Sequence, residues 1–580
     1  PVGALTSKPF RYSARTWELQ RRKSVSPHDG IGANLVVQVK GDRVMRVLPL
    51  ENEAVNECWI SDKDRFSYEA LNSTERLTKP MVKQDGKWHE VDWNVALDYV
   101  SHALRDVIKS SGADAVGALA SPHSTLEELY LLQKLMRGLG GSNIDFRLRQ
   151  RDFSADAKRK GAPWLGMRLA DVAGLESTLL VGSLVRKEQP LFAQRLRQAA
   201  KRGAQVNLLT VGADDPLIKL HVKSVVAPSQ LAGMLAGVLK AAASKKSVAT
   251  PLWAADVKPC ANAEKIADSL IAAGDKGAVF LGNIAQQQPN AAQLHAIAQE
   301  IAKLTGAKLG FLGEAANSVG AYVASAVGSG LNAYEMLAQP RQAYVVVNAD
   351  AEYDFHNTQL AVAAFKQAKS VVVMSAFLNA AALEYADVLL PIAPYTETAG
   401  TFINTEGRVQ SFKGVVKPLG ETRPAWKVLR VLGNLLKVGG FDYENAEQVR
   451  DDAVAMGEFV SGKLDNGLGE IAIELPKAID GLQRVGSVPI YAADALVRRA
   501  ESLQQTSDAK APTAGMAAAT AAQLGLSAGD NVKLKQGSGV AVLPVQIEEN
   551  VPAGCVRVVA ASAATAALGD LFGTISVERA

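Results

Sequence analysis

Cysteine is scarce in this 580-residue chain: Cys58, Cys260 and Cys555 are the whole set, widely separated and never as CxxC. Tetrahedral thiolate sites and cubane iron–sulfur clusters usually take four cysteines, so this chain cannot supply one from thiolates. An odd, scattered set also fits a reducing compartment. The seven histidines show no HxxxH or HExxH spacing, so no protein-built metal site is expected. Long apolar runs are missing as well. The best, 231–243, carries Lys240 and two glycines and falls short of the ~20 residues of a membrane span; it reads as a buried helix. No apolar core follows the N-terminal charges, so no signal peptide is expected. Excess charge of one sign is absent too: 63 Lys+Arg against 59 Asp+Glu leave a net +4. With no basic stripe interleaved with aromatics, nucleic acid is not an expected partner. The densest basic run, Arg21-Arg22-Lys23, reads as a solvated linker.

What is present is ordinary globular composition, 48% hydrophobic and 21% charged, in a length that suggests about four domains at roughly 150 residues each. Four segments repeat one grammar: short strand, turn, amphipathic helix, and a second strand. The clearest has a strand at 178–181, a helix opened by Pro190 and closed by Gly203, and a strand at 206–211. Phe192, Leu196, Ala199 and Ala200 fall on one helical face. The grammar recurs as strand 279–281, helix 291–305, Gly306 and strand 308–312, and again as strand 344–347, helix 358–367 and strand 371–374. The earliest instance is strand 115–120 and a helix from Ser124, with Ser124 and Glu127 at capping-box spacing. Strands alternating with helices of this length call for parallel sheets covered on both faces, so the fold class is doubly wound α/β with two lobes.

The ends follow other patterns. Residues up to about 75 hold a hairpin, 35–39 and 43–47 joined at Gly41-Asp42. From about 531 the pattern turns to period two: Val532/Leu534, the turn at 537–539, Val540/Val542, then Val556/Val558. This reads as a small antiparallel or barrel-like domain. The Ala/Thr/Asp/Pro-rich stretch 506–520 reads as a linker.

Ligands of open parallel sheets bind at the carboxyl ends of the strands, here the loops 182–189, 282–289 and 348–355. None is G-x-G-x-x-G or a P-loop. Gly182-Ser183 before Arg186-Lys187 has the backbone and charge to hold a phosphate, but a solvated turn is the favoured reading. The polar loops 314–322 and 396–410 each follow a buried strand. Glu397 and Glu406 are candidates for acid–base work; the favoured reading is structural, with Glu406 pairing with Arg408 or capping a helix. His28 and His123 read as satisfied loop residues, and no nucleophile–base–orienter set is seen.

Several motifs resemble a known family. The opening Pro1-Val-Gly-Ala-Leu-Thr-Ser-Lys-Pro-Phe is similar to the stretch just after the last cluster-binding cysteine in the large iron–sulfur subunit of respiratory complex I, the NADH-quinone oxidoreductase of bacteria. Trp59-Ile-Ser-Asp-Lys-Asp-Arg-Phe-Ser-Tyr, Glu384-Tyr-Ala-Asp-Val-Leu-Leu-Pro, Gly400-Thr-Phe-Ile-Asn-Thr-Glu-Gly-Arg-Val-Gln and Tyr491-Ala-Ala-Asp-Ala-Leu-Val-Arg-Arg-Ala are similarly close, in the right order. The chain therefore looks like a piece that begins inside a longer protein.

The resemblance implies a molybdopterin-oxidoreductase-like fold. Expected are a tail of the iron–sulfur domain (1–20), a degenerate 4Fe-4S-type domain (21–75), two interleaved Rossmann-like lobes (76–500) and a shortened C-terminal β domain (521–580). Some relatives hold a cluster with the spacing C-x2-C-x3-C-x27-C; the matching positions here are Ser26, Asp29, Ala33 and Ser61. The spacing is kept and every thiolate is lost, so no cluster is expected. Cys58, nearby and alone, reads as a buried small hydrophobe. Where active relatives ligate molybdenum, the equivalent is Arg151, which cannot bind a metal, with Ser154 the nearest alternative. Expected site residues are therefore none: no catalytic, cofactor-binding or metal-ligating residue, and no cofactor in this chain. The family places one 2Fe-2S and two 4Fe-4S clusters in the region preceding it. The implied function is a scaffold in the peripheral arm of a proton-pumping NADH:quinone oxidoreductase, on the cytoplasmic side of the bacterial inner membrane. Its implied partners are the flavin/NADH-binding and cluster-bearing subunits, with no direct membrane insertion. The alternative is an active, formate-dehydrogenase-like molybdopterin oxidoreductase.

Overall fold

The computed structural model describes residues 6–212, 214–454, 458–476 and 479–580. The first half of the opening motif, Pro1 to Leu5, lies outside them.

The basic run at Arg21 is not a linker. It sits in strand Gln20–Val25, which pairs antiparallel with Asn34–Lys40, itself paired with Arg43–Pro49. Periodicity hid this strand because residues 20 to 23 are exposed on both faces and only Ser24 and Val25 turn inward. The hairpin turn lies where Gly41-Asp42 placed it, with Gly41 at φ +60°.

Two parallel sheets follow. In the first the strand order is Lys87–Glu90, Met81–Gln84, Val388–Pro391, Ser370–Ser375, Ala343–Val347, Val116–Ala120 and Ile144–Asp145. Its last five strands are parallel, and the first two form an antiparallel edge. The second sheet is wholly parallel: Leu220–Val225, Gln205–Thr210, Ser177–Val181, Gly277–Leu281 and Lys308–Phe311. The chain starts the first sheet, leaves to build all of the second, and returns to finish the first. The two lobes are thus interleaved. Central strands such as Ser177–Val181 and Ala343–Val347 are buried at every residue, as sheets covered on both faces require.

Helices Ala291–Thr305 and Thr358–Gln367 have the expected bounds, and helix Pro190–Lys201 buries Phe192, Leu196 and Ala199. Phe192 meets Phe280 edge-on at 5.2 Å between ring centroids, fixing that helix on the second sheet. The apolar stretch at 231 is the buried helix Leu231–Lys245. One cap differs by a residue: the N-cap of helix Leu126–Gly138 is Thr125, closed reciprocally by Glu128. Ser124 and Glu127 are released for other contacts.

The C-terminal unit is a closed barrel in the order Leu482–Val485, Cys555–Arg557, Ala514–Met516, Gly539–Ile547, Asn531–Gln536 and Phe572–Arg579. It takes one strand from the stretch 506–520, so that stretch is not a linker, and another from before residue 500. The facing of one strand also differs from the pattern. Val532 and Leu534 point inward and oppose Leu543 and Ala541, so Val540 and Val542 face solvent. Directly opposed residues share a face.

Candidate functional site

The carboxyl ends of the first sheet converge on one place. Ser121 follows strand Val116–Ala120, Asn348 follows Ala343–Val347, and Ala376 and Tyr395 follow the next two strands. Asn348 turns the chain at φ +55°. Its side-chain amide donates to Ser124 Oγ (3.0 Å) and Glu128 Oε2 (3.3 Å).

This edge is filled from within the chain. The segment 490–500 crosses it and is fastened by charge. Arg498 donates to Asp354 at 2.9 and 3.0 Å and to Asp350 at 3.2 Å. Arg149 reaches Asp354 (2.9 Å) and Glu314 (2.7 Å) from the other side. Asp494 accepts from His28 Nδ1 at 2.8 Å, and His28 Nε2 lies 2.6 Å from Ser67 Oγ. Ala495 and Leu496 line the space beside them. A cavity of about 80 Å³ remains, small beside the ~300–1,000 Å³ of drug-sized ligand sites.

Burial sets the protonation of this network. Burial pulls His28 down, but the facing Asp494 carboxylate more than reverses it, and the imidazole ends above its ordinary value. Burial likewise pushes Asp494 up, and the His28 charge brings it well below the carboxylate range. Both stay ionised. For Glu127 and Glu128 no cation offsets the burial, which raises each to about 7. Glu127 is held by the backbone and hydroxyl of Thr401, at 2.9 and 2.7 Å. Asp350 is raised by burial, and Asp354, beside Arg498, is lowered despite it.

Ser67, His28 and Asp494 form the nucleophile–base–orienter chain that the sequence reading did not see. The separation of 466 residues between His28 and Asp494 hides it from any spacing argument. Ser67 is buried and is not among the residues that line the cavity; the chain of bonds ties segments together.

The other candidates are distributed around this edge. Glu397 forms a bidentate, buried pair with Arg76 at 2.7 and 2.8 Å. Glu406 pairs with Arg408 (2.6 Å) and accepts from the Leu169 amide (2.7 Å). His123 Nδ1 bonds the Pro27 carbonyl at 2.8 Å, and burial lowers the imidazole. In the loop 182–189, Lys187 is neutralised by Asp214 (3.1 Å) and Asp508 (2.9 Å). Glu188 takes the Ser183 hydroxyl and the Leu184 amide. The chain's own carboxylate thus holds the donors a phosphate would need. Arg151 stacks on Tyr334 at 3.9 Å and reaches Asp570 at 3.2 Å; Ser154 donates to Asp152 at 2.6 Å. Neither Arg151 nor Ser154 lines the cavity.

The four positions with cluster spacing are buried and knitted by polar contacts instead of thiolates. Asp29 pairs with Lys63 at 3.1 Å, and Ser61 donates to Asp64 at 2.8 Å. Ser26 Oγ accepts from the His28 amide at 3.3 Å, and burial raises the Asp64 carboxyl. This donor set does not fit a cubane: two hydroxyls, a methyl and a carboxylate committed to a lysine. At the edge of the first sheet, residues 494 to 496 line the cavity beside the strand ends. Cys58 corrects the sequence reading: it is exposed. The Asn56 side chain ties the carbonyls of Leu50 and Trp59 into a tight turn, and Cys58 lies on its outside. Among the described residues no three His, Cys, Asp or Glu side chains gather as metal ligands, and no helix is long and apolar enough to cross a membrane.

The chain is similar to known proteins in sequence and in fold. Residues 76–435 match the molybdopterin oxidoreductase family, and residues 19–69 match the NADH-ubiquinone oxidoreductase NDSU1/NuoG-like 4Fe-4S domain. A NADH-quinone oxidoreductase subunit of Rickettsia conorii is 28% identical over 78% of this chain and 60% of its own length. The mitochondrial NADH-ubiquinone oxidoreductase 78 kDa subunit of Neurospora crassa is 29% identical over 80% of this chain and 57% of its own. The chain thus spans about 60% of the length of such relatives. Among solved structures, acetylene hydratase from Pelobacter acetylenicus superimposes with a TM-score of 0.73 at 14% identity, covering 96% of this chain and 99% of that one. That likeness concerns the fold.

Proposed function

Because the chain belongs to the molybdopterin oxidoreductase family and holds its segment 490–500 by buried ion pairs at the carboxyl edge of the first sheet, we propose that it is a structural body rather than a catalyst. It serves the peripheral arm of a proton-pumping NADH:quinone oxidoreductase. The relatives named as subunits of such enzymes support the setting. The single observation that carries the scaffold reading is the segment 490–500, locked by Arg498 and Asp494 across the carboxyl edge of the first sheet. A hydride or electron-transfer step needs a bound cofactor and an open approach; the arginine–aspartate pairs at this edge support the reading that the approach is closed.

In this reading the chain itself carries no electrons. It offers a rigid frame against which cluster-bearing and flavin-bearing subunits keep their spacing, on the cytoplasmic side of a bacterial inner membrane. The clusters of the complete subunit lie in the region that its longer relatives have beyond this chain. An active, formate-dehydrogenase-like enzyme is the competing reading, and no contact at the sheet edge favours it.

Elemental analysis of the purified chain tests the proposal. The expected result is iron, molybdenum and tungsten far below one atom per chain. Stoichiometric molybdenum or tungsten would overturn it in favour of the catalytic reading. As a second arm, loss of the gene should abolish NADH:quinone reduction by membranes of the source cell, and unchanged activity there would remove the chain from that complex.

A further inference from the structure

Between strand Gln20–Val25 and the hairpin strand Val409–Phe412 runs an open groove of about 760 Å³. One wall carries Arg21, Arg22 and Lys23; the other carries Arg408, Lys413 and Arg450. A single carboxylate, Glu447, lines it, and it reaches only the largely exposed Lys413, at 3.9 Å. Arg408 and Arg450 are partly answered by Glu406 and Asp451. Arg21, Arg22 and Lys23 form no ion pair among the described residues. In a chain whose total charge is only +4, six cations around one concavity are a local concentration, and exposed charges act on one another over a screening length of ~8–10 Å.

A basic edge strand has an ordinary explanation: charge keeps exposed edges from pairing with other chains. That needs one charged wall. Here the opposing wall is basic as well, so the two repel across the groove, a cost that edge protection does not require. Two further features point to what relieves it. Among the described residues, strand Gln20–Val25 is hydrogen-bonded to another strand on one side only, which leaves a row of backbone donors and acceptors without a strand partner. The base of the groove is apolar, with buried Val25 and Phe412 lining it.

We propose that this groove docks an extended acidic polypeptide segment of a partner protein, which adds to the free edge of strand Gln20–Val25. Successive side chains of a strand point to opposite faces. A segment alternating acidic and apolar residues therefore sets its apolar side on Val25 and Phe412 and its carboxylates toward the two basic walls. Backbone pairing supplies affinity and the side-chain alternation supplies selectivity. The proposal rests on charge, edge and groove shape, and stands whether or not the chain works in a respiratory complex.

Fluorescence anisotropy with the chain tests it. The probe is a fluorescein-labelled peptide alternating Glu and Val, about ten residues long, beside its Gln/Val analogue. The acidic peptide should bind, more weakly as salt rises, and the neutral analogue should not. The double variant Arg21→Glu/Lys23→Glu should bind about tenfold more weakly, as the loss of several exposed ion pairs implies. If that variant does not fold, Lys413→Glu on the facing wall, an exposed position, serves the same purpose. Equal binding of both peptides would overturn the proposal, as would unchanged affinity in the folded variants. So would phosphatidylglycerol vesicles or duplex DNA binding through these residues while the acidic peptide does not.

Discussion

A charged imidazole held between an aspartate and a serine, all three buried, is a tight long-range bond set. It joins the region 19–69, which matches the 4Fe-4S domain, to the segment 490–500. The sign of its pH dependence follows from the two shifts. His28 is raised, so its contribution is complete below the ordinary histidine value and fades as pH rises through the raised one. Asp494 is lowered, so its contribution is complete above the ordinary carboxylate value and fades only in stronger acid. The pair should therefore stabilise most between roughly pH 4 and roughly pH 6.5. In urea titrations across pH, the stability gap between the native chain and His28→Gln should be widest in that window and narrow above it. A gap independent of pH would refute the ionised pair. None of this is legible in the sequence, because only the folded chain brings residues 28, 67 and 494 together.

Elements with a strong period were legible, and those held by contacts were not. Helices 291–305 and 358–367 announce themselves through apolar spacing and flanking strands, and the structure keeps those bounds. Strand Gln20–Val25 has no alternation to read, and the barrel strand Ala514–Met516 is only three residues long in an alanine-rich stretch. The segment 490–500 contains little regular structure and is specified by its partners. That makes it sensitive to one residue. Arg498→Ala leaves Asp350 and Asp354 buried with less counter-charge and should cost about 3–5 kcal/mol in equilibrium unfolding, as breaking a buried pair does. Adding Asp354→Asn should recover part of that loss, and a double variant no more stable than the single would show that charge is not what fastens the segment.

At the scale of the molecule, interleaving makes the two lobes one object. The polypeptide leaves the first sheet after Ile144–Asp145 and re-enters it at Ala343–Val347, with the whole second sheet between. Around residues 247 to 252 the second lobe exposes a short loop, where Val248 and Leu252 stand in solvent. Loops of this kind are where proteases cut. Nicking there should give two fragments on a denaturing gel that still co-elute as one native species, because each fragment supplies strands of the second sheet. Fragments that separate under native conditions would contradict the interleaved packing.

The segment across the first sheet has a last consequence, for reversibility. An occupant joined to its site by the backbone competes at an effective concentration of the millimolar order, whatever the cell contains. On the scaffold proposal, a diffusing ligand must bind tightly enough to overcome that concentration. Point substitutions that merely widened the opening would not let one in; the tether itself would have to be cut or rerouted. On the scaffold proposal, selection can act on the outer faces of the chain without guarding an interior reaction.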